Sequence, residues 1–537
     1  MPSIMWDGRL DNKESLVARL GLDSRQCDDE AVVTAAYVTW GAEAFERLIG
    51  DWAVALWHRD ARTMILARDF AGARPLYFKR RGDTIEWSSD LRSFFTTEAA
   101  PAVDRAYVYR FIADDPAQDQ SPYLDVSVVP PGYVLQFTSS GIRRSIGWLP
   151  SPEDRVEFRR GADYEEALWD RLREAVRCRL RPGTWAELSG GLDSSSVVCI
   201  AARIAQEQAL GTPKTLSYVH DAGHPDDERP YMEAVVRATS VVNKQIGERD
   251  YTAFGFDETA PFPRPIPNLG RTLHVSRLLK GEGGACLLRG HGGDAVMWSL
   301  STAPHLVDEL RRGQLSVCHR TARAIAAATG LTYWQVLHRD LVKSWKRVRL
   351  PLPGWLTPDS HTSRQSVRDG EADRHASNAW RVSRRHIAQA MRVSAYHSFR
   401  TTADIDVCSP FLDRRVVQFM LAMPFDRKVT AGQTRTLQRA SIGRLLPSAV
   451  ATRTTKVSGD GYVCRALTRE WTPLLQLISP RANVVREGYV DYRRTRDALE
   501  QVRMGIGTDA FSVLRLIAVE RWLKDLQRHP WRHERRH

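Results

Sequence analysis

The chain has 537 residues, 43% of them hydrophobic, which suits two or three domains with cores of their own. There is no run of about 18 apolar residues, which excludes a membrane-spanning helix. The opening Met1-Pro2-Ser3-Ile4-Met5 lacks a basic stretch ahead of an apolar one, so no secretory signal is expected. Seven scattered cysteines with no Cys-x-x-Cys argue for reduced core thiols and a cytoplasmic setting, and against a disulfide or zinc framework. The net charge of +13 comes from arginines spread along the chain and a terminal Arg-His-Glu-Arg-Arg-His. That pattern reads as a solvated surface suited to an acidic substrate, not as a nucleic-acid face.

Residues 1–150 read as a β-rich domain. Strands are expected at 51–57 and 63–69, then at 75–78, 84–88 and 128–135, with a helix over 29–40. A Pro-Ser-Pro-Glu-Asp linker at 150–154 precedes a second domain spanning 160–537. It opens with an amphipathic helix over 164–180, whose apolar face carries Leu168, Leu172, Ala175 and Val176. Strands at 185–188, 214–219 and 285–289 then alternate with helices at 196–204 and 231–239. This predicts an α/β domain with a doubly wound parallel sheet. Residues 301–345 read as helical, with an aromatic patch at Tyr333, Trp334 and Trp345. Residues 351–380, rich in Pro, Ser, Asp and Arg, read as a mobile loop placed to cover an active site. Helices return at 386–399 and 510–525.

The stretch that organises this domain is Glu187-Leu188-Ser189-Gly190-Gly191-Leu192-Asp193-Ser194-Ser195-Ser196. The glycines permit a sharp turn, and Ser194 and Ser195 are expected at the helix N-cap. Backbone N–H groups, hydroxyls and the positive helix end converge there, which suits a phosphate chain. Asp193 beside phosphate makes sense as a Mg²⁺ ligand. No Gly-x-x-x-x-Gly-Lys-Ser/Thr is present, so this is not a Walker A loop. The candidate nucleotide contacts are Leu188, Ser189, Gly190, Gly191, Asp193, Ser194 and Ser195. Ser217 and Tyr218, at the carboxyl end of the next strand, sit where backbone groups would hold adenine. Gly281-Glu282-Gly283-Gly284 begins like a dinucleotide fingerprint, but Cys286 stands at its third glycine. His220 and His224 have metal-like spacing without further ligands and read as loop residues.

The Ser-Gly-Gly-x-Asp-Ser loop resembles that of the ATP pyrophosphatases, which cleave ATP to AMP and pyrophosphate. Together with Asp7-Gly8-Arg9-Leu10-Asp11-Asn12, Gly50-Asp51-Trp52-Ala53, Leu66-Ala67-Arg68-Asp69 and Arg74-Pro75-Leu76-Tyr77, it resembles the asparagine synthetase family. That resemblance implies a class II glutamine amidotransferase-like (Ntn-type) first domain followed by a synthetase domain. It implies ATP and Mg²⁺ as cofactors. Gly290-His291-Gly292-Gly293-Asp294 would then face the pyrophosphate loop, with Gly290 near the nucleotide and Asp294 paired with Asp193 on the metal. Ser409-Pro410-Phe411-Leu412-Asp413 matches the family's Pro-Phe-Leu-Asp turn. Arg435-Thr436-Leu437-Gln438-Arg439-Ala440 matches its Lys-x-x-Leu-Arg-x-Ala pattern. Arg453-Thr454-Thr455-Lys456 matches the arginine and lysine that close the site, which makes Lys456 a candidate catalytic residue.

The departures narrow the expectation. A glutaminase of this type needs an N-terminal cysteine, whereas this chain begins Met1-Pro2-Ser3. The family's oxyanion Asn-Gly is Asp7-Gly8 here, and a carboxylate repels an oxyanion. The first domain is therefore expected to be a remnant, with the nitrogen coming from an amine other than glutamine's. His291 stands where asparagine synthetases carry Glu and β-lactam synthetases carry Tyr. It is a candidate base, or equally a hydrogen-bonded structural histidine. The three motifs around Asp7, His291 and Lys456 look most like the lasso-peptide cyclases. This implies a precursor-peptide substrate, with a leader protease and a leader-recognition protein as partners. An ammonia-dependent asparagine synthetase, a β-lactam synthetase-like ligase and a tRNA-modifying pyrophosphatase are the alternatives.

Overall fold

The computed structural model describes residues 2–528 apart from 24, 26, 96–101, 114–119, 221–226, 255–260, 265–268, 298–304, 346–351, 358–376, 397–404, 425–426, 429–434, 455–459 and 507–509. Lys456, His224 and most of the expected covering loop lie outside the described residues.

The first 150 residues build two antiparallel sheets. One runs β1 (Ser3–Leu10), β2 (Gly50–His58), β3 (Thr63–Arg68), β7 (Tyr133–Thr138) and β8 (Gly141–Ile146) in that spatial order. The smaller one places β4 (Tyr77–Arg81) between β5 (Thr84–Ser88) and β6 (Ser127–Val128). Strand β2 shows why the layers form. Its period-two alternation sends Trp52, Val54 and Leu56 toward helices Lys13–Leu20 and Asp29–Trp40, where they meet Leu16, Val17, Val32 and Val33. Ala53 and Ala55 face the other way, toward Leu76, Phe78 and Trp87 of the smaller sheet region. Asp28 caps the second helix by accepting a hydrogen bond from the Ala31 N–H.

The second half holds a five-stranded parallel sheet. Its spatial order is β11 (Asn243–Gly247), β10 (Lys214–Val219), β9 (Thr184–Glu187), β12 (Cys286–Leu288), β13 (Asp406–Cys408). Chain order therefore reverses between β9 and β12. In an open α/β sheet this switch point, outside the carboxyl ends of the strands, is where ligands bind. Ala186, Leu188, Cys286 and Leu288 pack with helices Gly161–Arg177, Leu192–Glu207 and Arg414–Ala422. On the opposite face, Trp185, Leu216, Ile246 and Leu287 meet Val275 and Leu279 of helix Leu269–Gly281. Strands β11 and β13 were not among the expected elements. Asn-Lys-Gln-Ile-Gly is too polar and Asp-Val-Cys too short to stand out as a strand.

Two local expectations are corrected. The cap of helix Leu192–Glu207 is Gly191, in extended backbone, so Ser194 and Ser195 lie inside the helix and not at its N-cap. Within 351–380, Trp355 and Leu356 are buried against Tyr489 and Val490 and join a core, so this part is not a loose loop. Helix Asn378–Tyr396 begins before the end of the expected loop. That core also joins the two halves of the chain. Phe94, Tyr107, Phe111 and Tyr123 pack with Leu474, Val513, Ile517 and Trp522 of the C-terminal helices. All seven cysteines are free thiols, and no helix of the described residues is long and apolar enough to cross a membrane.

Candidate active site

The loops that follow β9 and β12 meet across the switch point. A Cβ on Gly290 would come within 2.5 Å of the Ser194 nitrogen, and one on Gly293 within 2.3 Å of the Asp193 carboxyl carbon. Only glycine allows that approach. It brings Asp294, in the short helix Gly293–Val296, toward Asp193, in the first turn of helix Leu192–Glu207. The Ser189 and Ser194 hydroxyls, 2.8 Å apart, tie the two ends of the loop together, and Ser194 Oγ accepts from the Ser189 N–H. The Leu188 N–H donates to Leu216 O, and Ser217 Oγ donates to Leu188 O, which pins the loop's root to β10. Ser217 is fully buried, so what it presents upward is backbone, not its hydroxyl. Ser195 is also fully buried, and its Oγ has no partner among the described residues.

Between the two aspartates lies Arg435. Its Nη1 donates to both Asp193 carboxylate oxygens at 2.6 and 2.7 Å, and its Nη2 pairs with Asp294 Oδ1. Gln438, one helical turn on, donates from Nε2 to Asp193 Oδ1 at 3.0 Å. Two hard carboxylates already bridged by one cation are a donor set that fits Mg²⁺. The sequence contains Arg435 only as part of a family-like pattern. Nothing local pairs it with an aspartate 242 residues away.

A second network braces the strand ends. Glu187, the last residue of β9, accepts from the Tyr218 hydroxyl of β10 at 3.0 Å and from Arg289 Nε, just past β12, at 2.7 Å. Burial, then the neighbouring Glu187, pushes the Tyr218 phenol well above its usual range. The Tyr218 side chain is thus spoken for, and the Arg271 guanidinium lies 3.8 Å over its ring. His291 Nε2 is 2.8 Å from Ala390 O. A carbonyl only accepts, so Nε2 carries a proton. Burial, then Arg289, pulls the imidazole below its usual pKa. His220, read from sequence as a loop residue, lies 2.7 Å from Glu248, which Arg465 also binds. Arg453 donates to Gly190 O and pairs with Glu228 at 2.7 Å, so the arginine of the Arg-Thr-Thr-Lys stretch sits on the Ser-Gly-Gly loop.

The junction with the first domain holds a different cluster. Arg179 pairs with Asp51 at 3.1 Å and Asp413 at 2.8 Å, Arg9 with Asp11 and Asp51, and Arg415 with Asp413. Asp11, Cys178 and Asp413 come within reach of one another like metal ligands. Their carboxylates are held by three guanidiniums, which makes the cluster an ion-pair knot. Asp7 lies in β1 with its carboxylate 4.0 Å from Arg74.

Two family models match. Asparagine synthase covers residues 167–524, and a glutamine amidotransferase domain covers residues 2–148. The chain belongs to the asparagine synthase family. Asparagine synthetase [glutamine-hydrolyzing] 3 of Bacillus subtilis is 22% identical over 44% of this chain and 41% of its own length. B. subtilis asparagine synthetase [glutamine-hydrolyzing] 1 is 23% identical over 54% of this chain and 47% of its own length. Amidase chry2 of Gibberella zeae is 23% identical over 88% of this chain and 78% of its own. The chain thus spans less than half the length of the two B. subtilis relatives.

Proposed function

We propose that this chain is an ATP-dependent, AMP-forming carbon–nitrogen ligase. It adenylates a carboxylate and passes the acyl group to an amine, closing the macrolactam ring of a lasso precursor peptide. The observation that carries the ligase reading is the convergence of Asp193 and Asp294 at the sheet's switch point, with the Ser-Gly-Gly loop beside them. The macrolactam reading rests on the motif resemblance and on Asp7, a carboxylate where glutamine-dependent relatives need an amide donor.

In the first step a substrate carboxylate oxygen attacks the α-phosphorus of ATP and pyrophosphate leaves. Mg²⁺, when bound to Asp193 and Asp294, supplies positive charge for that departure. The loop N–H groups and the positive end of helix Leu192–Glu207 hold the phosphates in line. In the second step the peptide's α-amine attacks the acyl carbon, loses its proton and expels AMP. The α-amine has an unperturbed pKa of about 7.7–8.0, so part of it is neutral at physiological pH, unlike a lysine at about 10.4. His291 Nδ1 is the candidate proton acceptor, poised by the Nε2 bond to Ala390 O. Lys456 is the candidate stabiliser of the leaving pyrophosphate and the tetrahedral oxyanion. A leader-recognition protein and a leader protease would deliver the peptide.

The test is incubation with ATP, Mg²⁺ and precursor peptides bearing an Asp or Glu several residues from the N-terminus. The expected product is one water lighter, lacks a free α-amine and forms with AMP. Efficient conversion of aspartate and ammonia to asparagine, with no peptide dehydrated, would favour the small-molecule ligase instead.

A further inference from the structure

We propose that Arg435 is the resident counter-ion of the Asp193–Asp294 pair, and that it exchanges for the divalent cation only when a nucleotide arrives. The free protein would then bind metal poorly, and metal would enter together with ATP. This rests on the ligase reading of the site, but its test needs no turnover.

Three observations carry it. First, the guanidinium forks across the atoms a metal would use. Nη1 is on Asp193 Oδ1 and Oδ2, Nη2 is on Asp294 Oδ1, and the Arg435 side chain is only 11% exposed. The guanidinium fills the gap between the two carboxylates and places a positive charge where a metal ion would sit, so the two cations compete for one position. Second, the position is built to give. Arg435 has φ +56°, in the left-handed region that side-chain-bearing residues rarely adopt. It is the N-cap residue of helix Thr436–Ile442, and the pairing with Asp294 is the more open half, with that carboxylate side chain 43% exposed. Third, Asp193 does not depend on Arg435 for its aim. Gln438 holds the same carboxylate at 3.0 Å and is buried, so the donor oxygens stay in place when the guanidinium leaves.

The electrostatics set the order. Bare metal would have to drive a buried cation off two carboxylates with nothing to receive it. A polyphosphate entering with the metal offers the released guanidinium new oxygen acceptors in the forked geometry that arginine favours.

The experiment titrates Mn²⁺, followed by electron paramagnetic resonance, against wild type, R435Q, R435K and D193N, each with and without α,β-methylene-ATP. Wild type should bind Mn²⁺ weakly alone and about tenfold or more tightly with the nucleotide analogue. R435Q should bind Mn²⁺ alone about tenfold or more tightly than wild type, with the nucleotide effect reduced. R435K keeps the charge without the fork and should fall between; it also provides a reading if R435Q folds poorly. D193N should lose the tight signal, which identifies the pocket reported. Equal Mn²⁺ affinity of nucleotide-free wild type and R435Q would overturn the exchange. Absence of nucleotide-dependent Mn²⁺ binding in wild type would instead remove the metal site on which the ligase reading depends.

Discussion

The molecule uses the same chemistry, arginine against aspartate, in two places and to different ends. At the domain junction, Arg179, Asp51 and Asp413 have side chains 3%, 13% and 1% exposed, and Arg179 meets carboxylates from both halves of the chain. At the switch point, Arg435 is as well paired, but one of its partners, Asp294, opens to solvent and its backbone is in a rare conformation. A closed, fully paired cluster cannot exchange a member without leaving a buried charge, which suits a permanent join. A half-open cluster can release its cation, which suits a binding site. Charge content alone does not distinguish them; packing does.

The sharpest way to separate the two clusters is to remove a carboxylate from the open one. Asp193→Ala and Asp294→Ala should each lower AMP and pyrophosphate release by about a hundredfold or more while the fold survives. Pyrophosphate release and a melting curve on the same samples check this; full turnover in both variants would refute the pairing. The converse change, Arg179→Met, should cost about 1.5–3 kcal/mol of stability, because Asp51 then keeps only Arg9 and Asp413 only Arg415 as counter-ions. Denaturant unfolding reads that loss, and a cost below about 1 kcal/mol would mean the junction is not closed.

Acid should act on the junction first. Burial opposes ionisation of Asp413, but Arg415 and Arg179 outweigh it and hold its carboxyl at about 2, and Asp51 is likewise held low by Arg179 and Arg9. A depressed carboxylate binds fewer protons folded than unfolded. Its stabilising contribution is therefore complete above the unfolded value of about 3.9 and is lost as pH falls toward the folded one. Stability should drop between roughly pH 4 and pH 2, and D413N should start less stable and flatten that limb. At the other site, His291 is shifted down by burial and Arg289, so a rate limb that it governs should lie below about pH 6.5. His291→Gln should remove that limb from the pH profile; an unchanged profile assigns His291 a structural role. The smallest effect belongs to the brace. Tyr218→Phe deletes the hydrogen bond to Glu187 and should cost about 1 kcal/mol with modest change in turnover.

Much of this was readable in the residues. The continuous apolar run from Trp52 to Leu56 reads as a buried strand, and the alternation of strands and helices after residue 184 predicts the parallel sheet. That the Gly-His-Gly-Gly-Asp loop faces the Ser-Gly-Gly loop is implied by the family resemblance, and the close approach of Gly290 and Gly293 to Ser194 and Asp193 accords with it. What could not be read was long-range partnership. Arg435 reaches Asp193 across 242 positions, and Arg179 reaches Asp413 across 234. Neither carries a local signature that separates it from the other arginines. Polarity also misled: the Pro-rich stretch near 355 hides Trp355 and Leu356, two side chains that dock on the C-terminal core. Gly191 took the cap expected of Ser194 because the tight turn ends one residue before the helix begins.

The central claim is that a carboxylate is activated as an acyl-adenylate between the Asp193 and Asp294 loops. The most direct measurement follows oxygen. A peptide that supports AMP formation is prepared with heavy oxygen in its Asp or Glu carboxylate, and the nucleotide product is analysed by mass spectrometry. Attack of that carboxylate on the α-phosphorus predicts AMP carrying one heavy oxygen, with the label lost from D193A and D294A reactions. ADP as the nucleotide product, or AMP without label, would contradict the account.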